Sequence, residues 1–294
     1  MIQVAVIGVG VMGSAIAGRL IETGASVVVF DAMPGKTDAL VAKGAVAAAS
    51  ARAATETADY VITSLNSAGI VEKAVFGPDG IAEAANADKL LVDMSSIDAA
   101  KTAEMAARLA AETGMGWVDA PLSGGAPAAA KGTLTLMMGG STEDIARARP
   151  LLSLLSTNFN HMGGSGAGQT VKLINQILCA NTFMAVAEAV RFAEAHGVDA
   201  SLVPAALAGG RADSRIMQEY MAKMAHRDFS PTGRIDNMLK DLETVQGAAQ
   251  GKRLALPVTS LIADLHRMLV AGGLGSADSA EYVRLFDFGA EAAP

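Results

Sequence analysis

The sequence predicts an α/β unit built on a parallel sheet, followed by one long helix and an all-helical C-terminal part. Three observations carry this. Over about the first 160 residues, short β-branched runs alternate with Ala-rich stretches of helical period. Residues 166–196 then contain no proline and no glycine beyond the early Gly166 and Gly168, and no alternating run follows them. At 294 residues the chain has room for two cores, taking roughly 150 residues per domain. The expected division is 1–163 and 164–294.

Candidate strands are 3–7, 26–30, 60–65, 90–94, 116–119 and 133–138. Gly24 is placed to stop the first helix and Gly114 the helix over 100–113, while Ser141 with Asp144 three residues on reads as a capping box. Residues 166–196 read as a single helix of up to about 28 residues, roughly 40 Å long at 1.5 Å per residue. That length suits a spine joining two domains. Beyond Gly197 the helical segments break at Gly209 and Gly210, Pro231, Gly251, Pro257, and Gly272 and Gly273.

Composition removes several function classes. Hydrophobic residues at 51% against 18% charged exclude intrinsic disorder, and with 1 Trp, 3 Tyr and 8 Phe the cores must be aliphatic. A net charge of -7 offers no basic field to nucleic acid or anionic lipid. The single cysteine, Cys179, cannot form an internal disulfide, and His161, His196, His226 and His266 are too scattered for a zinc site. No metal is expected. The longest uncharged apolar run, 4–18, is shorter than the roughly 18 residues that a spanning helix needs, and no basic segment precedes it. A soluble cytoplasmic protein is expected.

Gly8, Gly10 and Gly13 form G-x-G-x-x-G directly after a strand and at the mouth of a helix. In that context the first glycine permits a tight turn, the second lets a pyrophosphate approach the backbone, and the third lets helix and strand pack closely. The second candidate strand ends at Asp31, where an acidic group binds the adenosine ribose hydroxyls and repels a 2′-phosphate. This predicts a Rossmann dinucleotide-binding domain that prefers NAD to NADP, although Lys36 lies close enough to leave NADP open. Ligands of such sheets sit outside the carboxyl ends of the strands. There the chain has Leu65, Asn66 and Ser67, then Ser95 and Ser96, then the run from Ala120 to Gly125, all of which ordinary turn chemistry would also explain.

Ser123, Gly124 and Gly125 could offer a hydroxyl and successive N–H groups to a carboxylate; a bare glycine-rich connection is the competing reading. On the long helix Lys172, Asn175 and Gln176 lie at i, i+3 and i+4 and so share a face. A lysine beside two amides on a largely buried helix needs partners. Its functional reading is a general acid and base for a carbonyl and its alcohol, its bland one a solvated polar face. Lys240 and Asp241 read by spacing as a surface ion pair, the four histidines as surface or cap residues, and Met217, Met221 and Met224 as core or dimer interface.

These motifs resemble the β-hydroxyacid dehydrogenases, the group that contains 3-hydroxyisobutyrate dehydrogenase and tartronate semialdehyde reductase. The likeness runs over nearly the whole chain: residues 8–13, 119–125 with 132–135, 166–176 and 240–242. It implies a Rossmann domain, a long interdomain helix, and an all-α C-terminal domain that mediates homodimers or homotetramers. It further implies Lys172 as the catalytic acid and base, and Ser123, Gly124 and Gly125 as the substrate carboxylate site. Asn175 and Gln176 would flank the substrate. Gly8, Gly10, Val11, Met12, Gly13, Asp31, Leu65, Asn66, Ser96 and Lys240 would line the cofactor.

The pair Asn175 and Gln176, where the 3-hydroxyisobutyrate enzymes have two asparagines, looks like the tartronate semialdehyde branch. So do residues 93–97 and 229–236, although a Pro-Gly pair is more usual there than Pro231, Thr232 and Gly233. The resemblance thus implies NAD-dependent interconversion of 2-hydroxy-3-oxopropionate and glycerate, with 3-hydroxyisobutyrate, threonate or 4-hydroxybutyrate as alternative substrates. Lys172 argues against the imine reductases, and the chain length against the 6-phosphogluconate dehydrogenases. A non-catalytic dinucleotide sensor is the competing reading from another class.

Overall fold

Strand follows helix through the first half of the chain because β-branched, doubly buried runs alternate with amphipathic Ala-rich ones. The computed structural model describes residues 1–287. They fall in two compact units, Met1–Lys172 and a second that begins at Leu173. The division drawn from the sequence lies earlier, ahead of the helix Ala167–Ala195. The first unit extends into that helix because its opening turns are hydrogen-bonded to the ends of the sheet, through Gly166 and Gln169.

The strands of the first unit are β1 (Gln3–Ile7), β2 (Ser26–Phe30), β3 (Val46–Ala47), β4 (Tyr60–Thr63), β5 (Leu90–Asp93), β6 (Gly116–Asp119), β7 (Leu122–Ser123), β8 (Thr135–Gly139) and β9 (Asn158–Gly163). They form one sheet in the order β3-β2-β1-β4-β5-β6-β8-β7, with β9 beside β8. All pairs from β3 to β6 are parallel, whereas β8 runs antiparallel to β6 and β7. The chain reverses its direction of winding between β1 and β4, and the crevice at such a point is where open α/β sheets bind ligands.

Side-chain alternation makes the sheet two-faced. Val4, Val6, Ile62, Val92 and Val118 enter one apolar cluster, and Ala5, Ile7, Val61, Leu91 and Trp117 enter the other. Helices cover both clusters, so the central parallel strands β1, β4, β5 and β6 are buried on both sides. The helix ends behave as their residues predict. Gly114 ends its helix at φ 77°, and the Ser141 hydroxyl accepts from the Asp144 N–H while donating to its carboxylate.

In the second unit Ala180, Met184, Ala187 and Val190 of the long helix pack with Met217, Met221, Met224, Leu242 and Tyr282. The three methionines are core. By length and apolarity Ala167–Ala195 would suffice to cross a bilayer, yet this inner face is filled by the helices that follow it. His266 corrects the sequence reading: it is fully buried rather than a surface or cap residue. Its Nδ1 bonds the Ile262 carbonyl and its Nε2 the Tyr282 hydroxyl, so both ring nitrogens are satisfied, and burial lowers its pKa. The period of Ile262, Ala263, His266 and Leu269 places it on the buried face of its helix.

Candidate active site

The residues singled out in the first unit converge on the carboxyl ends of the parallel strands. The three glycines after β1 have three different reasons to be glycine. Gly8 turns at φ 87°, and a Cβ there would meet Leu65 Cδ2 and the Ser64 carbonyl at 2.5 and 2.6 Å. A Cβ on Gly13 would overlap the Gly8 carbonyl oxygen, so only glycine lets the helix Val11–Glu22 cross β1 this closely. Gly10 faces open space and caps that helix with no side chain. The first N–H groups, of Val11 and Met12, are thus presented at a positive helix end.

Asp31 closes the turn from the other side. Its Oδ2 accepts from the Val9 N–H and its Oδ1 from the Met33 N–H, both at 2.9 Å, which fixes the carboxylate at the end of β2. A bare helix terminus, an open glycine and a fixed acidic group one strand away fit a dinucleotide: the pyrophosphate at residues 10–12, the ribose hydroxyls at Asp31. Leu65 abuts Gly8, and its N–H donates to Ser95 Oγ at 3.0 Å. Asn66 is exposed beside it, and Ser96 is half-buried on the next strand-end loop.

Ser123 and Leu122 form the short strand β7 rather than a free loop. Gly124 and Gly125 then both take positive φ, 116° and 67°, and open a helix, Gly125–Lys131, that no side chain caps. Their exposed N–H groups suit an anion. Lys172, half-buried, closes this unit on the second turn of the long helix.

The second unit holds the other residues. Asn175 Nδ2 donates to Gln176 Oε1 at 2.8 Å, and Gln176 Nε2 donates to Asp241 Oδ2 at 2.6 Å. The other Asp241 oxygen pairs with Lys240 Nζ at 3.1 Å. Asp241 is 8% exposed, so the surface ion pair read from the sequence is half wrong. Lys240 reaches solvent, but its partner is a buried hub joining Lys240, Gln176 and Asn175. Its place with Leu242 and Val245 on the buried face of its helix was the signal the spacing argument passed over.

Three more residues, Asp93, Asp119 and Gln169, were given no role by the sequence reading, which placed Ser95 only among the strand-end loops. Asp93 and Asp119 end adjacent strands in register, and both are fully buried. Burial pushes the Asp93 carboxyl up to about 6, against hydrogen bonds from Ser95 and Thr63; its Oδ2 has no partner among the described residues. Burial also raises Asp119, and backbone N–H groups of Gly166 and Gln169 oppose it. Ser95 and Gln169 complete the group, Gln169 at 1% exposure. The available signal was a pair of aspartates closing apolar strands, which is costly unless paired.

Comparison with known proteins agrees with this geometry. A profile for the NAD binding domain of 6-phosphogluconate dehydrogenase matches residues 3–164. A second, for the NAD-binding region of NADP-dependent 3-hydroxyisobutyrate dehydrogenase, matches residues 166–286. The chain is 37% identical over 281 residues to 2-hydroxy-3-oxopropionate reductase of Escherichia coli, covering 96% of each chain. It is 36% identical over 292 residues to the NAD-dependent L-serine dehydrogenase of Pseudomonas aeruginosa, covering 97% of this chain and 98% of that one. Among solved structures it superposes on Mycobacterium tuberculosis 3-hydroxyisobutyrate dehydrogenase with L-serine at a TM-score of 0.89 and 30% identity, over 97% and 99% of the two chains. With the glycine turn, the strand-end loops and the lysine helix all in place, the chain belongs to the β-hydroxyacid dehydrogenase family of NAD(P)-dependent oxidoreductases.

Proposed function

We propose that this enzyme is a 2-hydroxy-3-oxopropionate reductase, forming glycerate at the expense of NADH. The observation that carries the substrate reading is the amide chain from Asp241 through Gln176 to Asn175. It commits one Asn175 N–H to Gln176 and suits the Asn175 carbonyl oxygen to accept from a substrate hydroxyl. Tartronate semialdehyde has such a hydroxyl, and methylmalonate semialdehyde has a methyl group in its place. A site built to bond a hydroxyl discriminates strongly against an analogue that lacks it, because its own polar group is left unpaired. The likeness to the E. coli reductase supports the same reading.

A dinucleotide held at the glycine turn would supply the hydride that reduces the aldehyde carbon. The Lys172 ammonium donates a proton to the carbonyl oxygen as negative charge develops there, and in the reverse direction the amine removes the alcohol proton. Ser123 and the N–H groups of Gly124 and Gly125 hold the substrate carboxylate, which supplies orientation. Asp31, already fixed by Val9 and Met33, would accept from the ribose hydroxyls and so favour NADH over NADPH.

Steady-state NADH oxidation with tartronate, methylmalonate and succinate semialdehydes tests the substrate, with L-serine and NAD in the reverse direction as a fourth arm and NADPH as a comparison. The expected result is a kcat/KM for tartronate semialdehyde at least about tenfold above the others, which is about 1.4 kcal/mol of transition-state binding. A higher value for another substrate overturns the substrate reading and leaves the lysine role standing. Lys172→Ala is expected to bind NADH normally and lose turnover by at least about a hundredfold, as for a missing general acid. Near-native turnover would remove the lysine from the mechanism.

A further inference from the structure

Gln169 lies three residues before Lys172, on the same face of the helix, and its amide is spent entirely within the first unit. Oε1 accepts from the Ile97 N–H at 3.2 Å, and Nε2 donates to the Ser95 carbonyl at 2.8 Å. One side chain therefore grips the residues on either side of Ser96. Ser95 is held a second time, since its Oγ accepts from Leu65 N–H and its own N–H donates to Asp93. The loops after β4 and β5, which present Leu65, Asn66 and Ser96, are thereby tied to one another and to the helix that carries Lys172.

Asp119 ties the same helix from the next strand. Its Oδ1 accepts from the Gly166 N–H at 2.8 Å and its Oδ2 from the Gln169 N–H at 3.1 Å. A carboxylate supplied from β6 thus takes the capping position at the helix start, where charge and the helix dipole are matched. The approach is close: a Cβ on Gly168 would lie 2.8 Å from both the Asp119 carbonyl oxygen and Oδ2. Burying a carboxylate and a glutamine this completely is costly unless every polar atom is satisfied. An apolar pair would hold a helix against a sheet equally well; what the polar pair adds is direction, because each bond fixes one atom of the helix start against one atom of a strand-end loop.

We propose that Gln169 and Asp119 are positioning residues that lock the start of the Lys172-bearing helix to the loop presenting Ser96, so that the proton-transfer group and the cofactor-lining loop keep one fixed spacing. This rests on the reading of Lys172 as the acid and base. The geometry on which it stands, the double grip on residues 95 and 97 and the carboxylate at the helix start, does not depend on the substrate.

The test compares Gln169→Leu, Gln169→Glu, Asp119→Asn and Lys172→Ala, using whichever semialdehyde wild type turns over fastest. NADH affinity is read by nicotinamide fluorescence, and the kinetic isotope effect with 4,4-dideuterated NADH. Gln169→Leu is expected to lower kcat about 10- to 100-fold, the scale of a small misplacement of reacting groups. The aldehyde KM should change little, the isotope effect on kcat should rise as hydride transfer becomes limiting, and NADH should bind more weakly. Asp119→Asn should move kcat and the isotope effect the same way. Gln169→Glu keeps an oxygen for Ile97 N–H and regains a donor for the Ser95 carbonyl only when protonated, so its kcat should recover as pH falls.

If kcat in Gln169→Leu falls only in proportion to the NADH-titrated site concentration, with the isotope effect unchanged, the residue merely supports folding and the proposal fails. If Lys172→Ala is inactive while Gln169→Leu is unimpaired, the positioning role fails and the lysine reading survives. An active Lys172→Ala overturns both.

Discussion

Asp93→Asn should make the stability of the first unit less dependent on pH, and the size of the effect can be worked from the fold. Asp93 ends β5 fully buried. One carboxyl oxygen accepts from Thr63 Oγ1 at 2.8 Å and the Ser95 N–H at 3.0 Å, and the other has no partner among the described residues. Burial raises its pKa from 3.8 to about 6, and the neighbouring Asp119 charge adds to the rise. A carboxyl with a raised folded-state pKa binds more protons folded than unfolded between those two values. Stability therefore falls as pH rises through that window and levels off above the folded pKa. At about 1.4 kcal/mol per unit, the ionised carboxylate costs about 3 kcal/mol at pH 7.5 and about 1.6 kcal/mol at pH 5.

Asparagine carries no such charge, so the difference in stability between variant and wild type should move in the variant's favour by about 1.4 kcal/mol between pH 5 and pH 7.5. For a unit of this size that is about 3–5 °C in the difference of melting temperatures. Differential scanning calorimetry of both proteins across the range measures it, and other titrating groups common to both cancel in the difference. A constant offset from the new amide N–H is expected, because that donor also meets no partner. Melting temperatures that stay parallel from pH 5 to pH 7.5 would refute the reasoning, since they would mean that Asp93 ionises as easily folded as unfolded.

Two comparisons elsewhere in the chain follow from the same kind of argument. Gly10→Ala should fold as wild type, because nothing lies within 4 Å of its added Cβ, yet bind NADH at least about tenfold more weakly. Gly13→Ala, whose Cβ would overlap the Gly8 carbonyl, should lose folded yield first. Thermal melts and fluorescence titration separate the two, and equal folding of both variants would contradict the assigned crossing. In the second unit Tyr282→Phe leaves the buried His266 Nε2 without its hydroxyl partner and should cost about 1–3 kcal/mol in chemical denaturation. An unchanged denaturation midpoint would show that the bond adds nothing.

What could be read from the sequence was whatever a local pattern dictates. β1, β2 and β6 occur at the residues expected of them, because each is a short apolar run with a glycine or an aspartate at its end. The glycine turn was equally legible, since the positive φ of Gly8 and the close approach at Gly13 demand glycine and Gly10 leaves the helix end open. β3, β7 and β9 were not. Val46 and Ala47 are exposed, and β9 reads Asn-Phe-Asn-His-Met-Gly with little burial; these segments are strands because an edge offers them partners, which propensity does not record. The same limit hid the partners of Asp241, Gln169 and His266. The helical period already puts Asp241 and His266 on buried faces, but what each of the three bonds to lies on another segment, 65, 74 or 16 residues away.

The two buried aspartates show how such long-range partners divide the labour between identical groups. Asp93 and Asp119 occupy equivalent positions on neighbouring strands, and both are desolvated, so two full negative charges side by side would be costly. The surroundings separate them. Asp119 meets the opening N–H groups of a helix, which favour its ionised form, whereas Asp93 keeps one oxygen unbonded and is pushed up to about 6. Removing the Asp119 charge should therefore ease ionisation of Asp93. In Asp119→Asn the pH-dependent stability loss attributed to Asp93 should shrink, because one of the causes that raise its pKa has gone. Calorimetry of Asp119→Asn and of the double variant with Asp93→Asn, compared over the same pH range, isolates that coupling. Strict additivity of the two substitutions at every pH would mean that the carboxyls do not sense each other, and that burial alone sets Asp93.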